Sequence, residues 1–415
     1  MSTPIKLLVI GTAPFFLNCD LDQKKVSNIQ SKDSLYINRT FYLEQLEGFW
    51  LGTSIANWTG LITEMDKIGN TNDISTLPFY TREDWGQMDK PAIWDGENPS
   101  QISKTIDYVL RKPSELWGAD DDTDIEYMYQ HLILKNNQVK LSPEQIREGW
   151  LEHISSIEEN YLWVSNQKAL DLMNEGYLPP DTGDPRLNEH YDMIDAQLTT
   201  EIFGLFVPGN PELARDLANL PIQTVARNEA EDIAQFYVTM FSLASLNPEK
   251  NIHDRIDLIS SRARNYLPDD EYPARMYDYI RGLYELNLPW EATRDSIHKA
   301  YQIEQRHGYD ITSKNLWCNG CFAAGINFAA SLVSLFYGEG DLLQTIKIGS
   351  LAGWDSDNPT ATWGGLIGFM MGASAIEEAF GTKLSNEASF KPGSAIGGRG
   401  FRPVRLCCSS DIEII

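Results

Sequence analysis

Apolar residues recur at helical spacing over most of the chain and rarely alternate. From Phe41, the positions Leu43, Leu46, Phe49, Trp50 and Ile55 predict a helix, with Gly48, Gly52 and Gly60 forming a small-residue face. Glu64 closes that segment. Residues 69–100 lose the rhythm to Gly, Pro, Asn and Asp yet keep Phe79, Tyr80, Trp85 and Trp94, so they read as a long ordered loop. Helical spacing resumes at Asp120. Ser142 before Pro143-Glu144-Gln145 is a capping box that starts a helix through Ile154, and another helix runs from near Trp163 to Gly176. Residues 194–204 read as one helix with an inward polar row. Asn228 is placed to cap a helix over 229–246, and helical patterns follow at about 251–265, 272–286 and 290–306. Residues 321–337 are Ala- and Gly-rich and apolar, hence a buried segment, and 342–350 form a short helix. No strand runs with hairpin signals recur, and no period marks a repeat. The expected fold is therefore all-α, a compact multi-helix body.

Composition narrows the function more than the fold. The 42% apolar and 11% aromatic content of the 415 residues suits a large buried core and argues against disorder. A formal charge of −25 without any Lys/Arg tract argues against nucleic acid or an anionic membrane as the main partner. No stretch is apolar enough to span a membrane. The run from Leu7 to Leu17 after Lys6 makes residues 1–18 read as a secretory signal, with a buried first strand in a cytoplasmic protein as the alternative. Residues 19–40 then form a linker, 41–380 the main domain and 381–415 a loosely ordered tail. Cys318 and Cys321 form a C-x-x-C, but a zinc site needs a second ligand pair, so they read as small buried residues on a helix. Asn38-Arg39-Thr40 and Asn57-Trp58-Thr59 both match the glycosylation acceptor pattern.

The chemistry concentrates in two acidic stretches. In Gly353-Trp354-Asp355-Ser356-Asp357-Asn358-Pro359, Asp355, Asp357 and the Asn358 amide offer hard oxygen ligands within four residues, and Pro359 marks a helix start. Gly364, Gly368 and Gly372 then recur every fourth residue, so another backbone can approach that helix closely. The other stretch is Asp120-Asp121-Asp122-Thr123-Asp124, also at a helix start. A helix N-terminus favours one or two acids. Three consecutive aspartates exceed that need and point to a cation. If the stretches meet, their carboxylates cannot all ionise without cations. All-oxygen ligation selects Mg²⁺, Mn²⁺ or Ca²⁺ over zinc, and two such ions roughly 3.5–4 Å apart can orient a diol and activate water.

Three segments in order resemble the ADP-ribosylglycohydrolase family, the group of dinitrogenase-reductase-activating glycohydrolases and ADP-ribosyl-acceptor hydrolases. They are Ala56-Asn57-Trp58-Thr59-Gly60-Leu61-Ile62-Thr63-Glu64 against G-D-x-x-G-x-x-x-E, Asp120-Asp121-Asp122-Thr123 against S/T-D-D-T, and Asp355-Ser356-Asp357-Asn358 against D-x-D-T/S. The resemblance covers about residues 41–380. It implies an all-α fold around a binuclear Mg²⁺ or Mn²⁺ site that acts on an ADP-ribosylated protein or an ADP-ribose-containing small molecule. Carried over, it makes Asp121, Asp122, Asp355 and Asp357 metal ligands, with Asp120 and Asn358 in the remaining ligand positions. Glu64 and Asp355 become the catalytic carboxylates. Asn57, Asp195, Gln197, Glu201 and Asn228 become the substrate-binding positions, because the segment from Asp195 to Glu201 resembles the family's polar-faced helix and Asn228 stands where a histidine is expected. Asn57 replaces an Asp, Asp120 a Ser/Thr and Asn358 a Thr/Ser. These departures motivate an alternative, a catalytically silent ADP-ribose-binding relative. Ser-His-Asp hydrolysis fits poorly, since G-x-S-x-G is absent, and Gly397-Gly398-Arg399-Gly400 has no strand leading into it as a phosphate loop requires.

Overall fold

The helical periodicity is realised as fifteen α-helices among the residues described by the computed structural model: 37–70, 75–93, 96–118, 121–154, 162–310, 318, 320–388 and 404–405. In chain order they are α1 (Arg39–Gly60), α2 (Asp121–Asn136), α3 (Pro143–His153), α4 (Val164–Glu175), α5 (Asp195–Thr199), α6 (Ile202–Phe206), α7 (Pro211–Gln223) and α8 (Glu229–Leu243). Next come α9 (Ile252–Arg264), α10 (Tyr272–Glu285), α11 (Trp290–Ile297), α12 (Ala324–Tyr337), α13 (Leu342–Ala352), α14 (Asp357–Met371) and α15 (Ala373–Phe380). The described strands are a two-residue antiparallel pair, Glu387–Ala388 with Val404–Arg405. The fold is all-α. No described helix is long and apolar enough to cross a membrane. The expected signal segment, most of the expected linker and most of the tail lie outside the described residues. The linker's last residues instead begin α1, whose first turn is capped by the Asn38 side chain accepting from the Phe41 N–H at 3.1 Å.

α1 and α14 cross antiparallel at the centre, and the spacing of their glycines explains why. A Cβ at Gly52 would run into the Gly364 carbonyl oxygen, and one at Gly368 would run into the Gly48 carbonyl. The two backbones therefore touch, which only glycine permits. This is the close approach that the four-residue glycine spacing predicts, with α1 as its partner. α12 packs beside α14, where the buried Trp363 indole donates to the Ser331 carbonyl at 2.8 Å.

Three local expectations change. Residues 194–204 form two short helices rather than one, because the backbone turns at Thr200, while the Thr199 and Thr200 hydroxyls bond back to the Asp195 and Ala196 carbonyls. The helix expected over 290–306 leaves α-geometry after Ile297 and continues π-helical through His298–Ile303. Cys318 and Cys321 are buried as expected, but they are joined as a disulfide in the turn before α12 rather than standing on a helix. Elsewhere α3 opens with the expected capping box and α4 ends at left-handed Gly176. Asn57 is fully buried, so its sequon is inaccessible in the folded chain.

Candidate metal centre

The end of α1 holds both acidic stretches. In its last turn the Trp58 indole donates to the Gly118 carbonyl at 2.9 Å, anchoring the chain just before Asp121, the first residue of α2. Gly60 lies against the backbone of Asp357, and its carbonyl accepts from the Ser356 hydroxyl at 3.1 Å. The Thr63 and Ser356 hydroxyls also bond to each other at 3.0 Å. Beyond Glu64, the Met65 N–H donates to the Trp354 carbonyl at 2.9 Å, and the Trp354 N–H donates to the Lys67 carbonyl at 2.7 Å. Met65 and Trp354 both have a φ of 59°, a left-handed conformation that costs energy for any side chain. The reciprocal bonds hold both residues there and lay the two loops side by side.

Other contacts fix the loop before α14. Arg294 on α11 is buried, and its guanidinium donates to the last carbonyls of α13, Leu351 at 3.2 Å and Ala352 at 3.3 Å, and to the Tyr80 carbonyl at 2.8 Å. A cation at a helix C-terminus also meets the negative end of the helix dipole. The Trp354 indole donates to Gln302 at 2.8 Å from the π-helical turn. The Asp355 N–H donates to the Asn327 side chain at 3.2 Å, and Asn327 in turn donates to the Cys321 carbonyl at 2.7 Å.

The loops bring Glu64, Asp355 and Asp357 together, with one oxygen of each within 4.8 Å of the others. Asp355 and Asp357 are buried, and Glu64 is half-buried. Burial pushes the Asp355 carboxyl well above its ordinary range, and the charges of Asp357, Glu64 and Asp121 push it further. Asp121 therefore acts on this cluster from α2. Asp120 and the side chain of Asp122 lie outside what the structure describes. Three acids within reach of one another, with the charge of a fourth acting on Asp355 and only carboxylate oxygens as donors, suit a hard divalent cation.

The remaining expected positions divide. Asn358 is buried on the first turn of α14, and its side-chain oxygen accepts from Gln197 on α5 at a long 3.4 Å. Gln197 Oε1 and Asn358 Nδ2 make no hydrogen bond among the described residues. Asp195 is buried and accepts from the Asn166 N–H at 2.9 Å, and burial raises its carboxyl to about 6. Glu201 is buried against Thr362 of α14. Asn57 is buried within α1. Asn228 is exposed at the start of α8, has a positive φ of 56° and makes no capping bond.

Sequence reasoning missed Arg294, Asn327, Gln302 and a second acid group beside the site. Arg294 lies one turn after Trp290 on the apolar face of α11, the one signal that marks it. In the second acid group, the Tyr80 hydroxyl donates to Asp66 at 2.7 Å, and burial, with Asp89 adding to it, raises the Asp66 carboxyl to about 9.

The profile of the ADP-ribosylglycohydrolase family matches residues 38–396. No curated protein matches the chain. Among solved structures it is similar to an ADP-ribosylglycohydrolase-related protein complex, with 15% identity and a TM-score of 0.43 over 81% of this chain and 90% of that one. The profile spans all three signature segments, and the chain belongs to the ADP-ribosylglycohydrolase family of glycosidic hydrolases.

Proposed function

We propose that this chain is a divalent-metal-dependent hydrolase that cleaves a glycosidic bond to ADP-ribose, or to a related ribosyl group, on a protein or small molecule. The observation that carries this reading is the convergence of Glu64, Asp355 and Asp357 on one point, with the charge of Asp121 acting on Asp355. In this reading Asp121, Asp122, Asp355 and Asp357 hold the metal, with Asp120 and Asn358 in the flanking ligand positions. Two Mg²⁺ or Mn²⁺ ions bound there would supply positive charge to orient ribose hydroxyls and to make water more acidic. Glu64 is the least buried of the three clustered acids and is assigned to accept a proton from the attacking water. Asp355, a metal ligand in this reading, would position that water. Asn57, Asp195, Gln197, Glu201 and Asn228 are assigned to the substrate side. The buried Gln197 Oε1, which makes no hydrogen bond among the described residues, supports this, because buried polar groups are rarely left without a partner.

The test is release of ADP-ribose from an ADP-ribosylated protein and from ADP-ribose-containing small molecules. It is run with Mg²⁺, with Mn²⁺ and with a chelator. Cleavage is expected with metal alone and is expected to vanish in the Asp355→Asn/Asp357→Asn variant. If ADP-ribose binds but no bond is cut with any metal, the protein is a silent binding relative and the hydrolase reading fails.

A further inference from the structure

The C-x-x-C pair has no part in the proposed chemistry, yet it lies where the two sides of the site are tied together. Cys318 and Cys321 are buried and joined as a disulfide in the turn before α12. The residues after Cys321 are bonded to the chain that leads into α5. The Ile194 N–H donates to the Phe322 carbonyl at 2.9 Å, the Ala324 N–H donates to the Asp192 carbonyl at 3.1 Å, and Met193 pairs with Ala323 as an antiparallel bridge. The next residue, Asp195, opens α5, which also carries Gln197.

On its other side the turn reaches the metal centre through one side chain. Asn327 is fully buried on the first turn of α12. Its amide nitrogen donates to the Cys321 carbonyl at 2.7 Å and to the Ala323 carbonyl at 3.0 Å, and its oxygen accepts from the Asp355 N–H at 3.2 Å. A primary amide presents its donors and its acceptor at opposite ends of one plane. The carbonyls that hold the nitrogen therefore also aim the oxygen at Asp355. The disulfide closes Cys318 onto Cys321 across two residues and so restrains the direction of the Cys321 carbonyl.

We propose that Cys318 and Cys321 are a reversible thiol–disulfide modification site: the oxidised turn aims Asn327 at Asp355 and keeps cation affinity high, and reduction by a dithiol lowers it. In the exchange, a thiolate of the dithiol attacks one sulfur, forming a mixed disulfide and releasing the other cysteine as a thiolate. The second thiol of the dithiol then displaces the first cysteine. The S–S bond thus takes up two electrons and two protons, which the dithiol loses as it closes to its own disulfide. Both cysteines are buried, so the attacking thiolate gains access as the turn opens, which makes the exchange slow. By linkage, the bound cation must favour the disulfide by the same factor that the disulfide favours the cation. This role rests on the metal reading above, and its test separates the two.

The purified full chain is either oxidised, or reduced with dithiothreitol and freed of reductant without air, and each form is titrated calorimetrically with Mn²⁺ alone. Alkylation and peptide mass spectrometry report the state of Cys318 and Cys321. The reduced form should bind Mn²⁺ about two- to tenfold more weakly, the worth of one buried hydrogen bond, and reoxidation should restore the affinity. Helical circular dichroism should not change. Cys318→Ala/Cys321→Ala should bind like the reduced form with or without prior reduction. Asn327→Ala should bind weakly in both states, with no difference between them. In glutathione redox buffers, Mn²⁺ should raise the disulfide fraction of wild type but not of Asn327→Ala. If both forms of wild type bind Mn²⁺ equally, the switch is wrong and the metal reading stands. If Asn327→Ala keeps the redox difference, or the double cysteine variant still responds to reductant, the route from this pair to Asp355 is wrong. If neither form takes up Mn²⁺, both readings fall. Should a variant not fold, the reversible comparison within wild type decides alone.

Discussion

Removing one charge from the acidic cluster should stabilise the protein without metal and remove the stabilisation that a cation confers. Asp357→Asn is the sharpest form of this perturbation, because the amide keeps the shape of the side chain that opens α14. The oxygens of Glu64, Asp355 and Asp357 lie within 4.8 Å of one another. Two unit charges at that separation, with an effective dielectric constant near 20, repel by about 3.5 kcal/mol. Protonation of Asp355 relieves part of this, since its carboxyl is held well above the ordinary range. Loss of a favourable charge at a helix N-terminus returns about 0.3–1 kcal/mol. The expected net gain of the metal-free variant is about 1–3 kcal/mol near pH 7.5. With Mn²⁺ at a hundred times its dissociation constant, wild type gains about 2.7 kcal/mol and the variant little.

The two proteins should therefore exchange rank. In urea unfolding followed by tryptophan fluorescence, Asp357→Asn should be the more stable in chelator and wild type the more stable in saturating Mn²⁺. The pH dependence has a definite sign. A carboxyl whose folded value is raised contributes stability at acid pH that is lost as pH rises from its unfolded value through its folded one. Asp355 is such a group, so the advantage of the variant in chelator should grow with pH and close toward acid. A variant that is less stable in chelator, or that gains as much from Mn²⁺ as wild type, would refute a repulsive metal-binding cluster.

Three further outcomes are expected. Gly52→Ala should cost about 1–3 kcal/mol in denaturant unfolding, because its methyl group meets the Gly364 carbonyl and must push α1 from α14; Gly176→Ala, at an open left-handed position, should cost less. Arg294→Met should cost about 3–5 kcal/mol, since it leaves the Leu351, Ala352 and Tyr80 carbonyls without their buried donor, and Mn²⁺ titration should show weakened binding as the Asp355 loop loosens. Asp66→Asn should flatten the fall of stability with rising pH. The wild-type carboxyl sits near 9 when folded, so it loses up to about 1.4 kcal/mol per pH unit across the window from its ordinary value of 3.8 to that point.

The meeting of the two acidic stretches was legible in part, because clustered like charge is unfavourable wherever it is not used, and the charge of Asp121 does act on Asp355. The glycine spacing was legible for the same kind of reason. It announced that a backbone must come near α14, but only the fold could say that the backbone was α1, with Gly48 and Gly52 in register against Gly368 and Gly364. What stayed hidden depends on tertiary partners. Asp66 looks like an ordinary surface acid until Tyr80 and Asp89 are folded onto it. Glu126 sits on α2 without any local sign that it will accept from the Ile202 N–H beside Glu201. The break at Thr200 arises where hydroxyls compete for helix carbonyls, a contest that apolar spacing does not register.

The two left-handed residues show how the cluster is kept in place. Met65 and Trp354 flank Glu64 and Asp355, and each holds a conformation worth roughly 1–3 kcal/mol of strain. Neither could persist alone. They persist because each loop supplies the hydrogen-bond partner of the other, while Trp58, Gly60 and Thr63 tie the same end of α1 to Gly118 and Ser356. These ties run through backbone groups, indoles and hydroxyls rather than through the acidic side chains. The frame therefore does not depend on the charge it holds, which is why an Asp→Asn change in the cluster can raise stability instead of collapsing the site. The converse also follows. A change in the frame, at Arg294 or in the glycine crossing, moves several acids at once and should alter cation affinity more than it alters the chemistry of any one carboxylate.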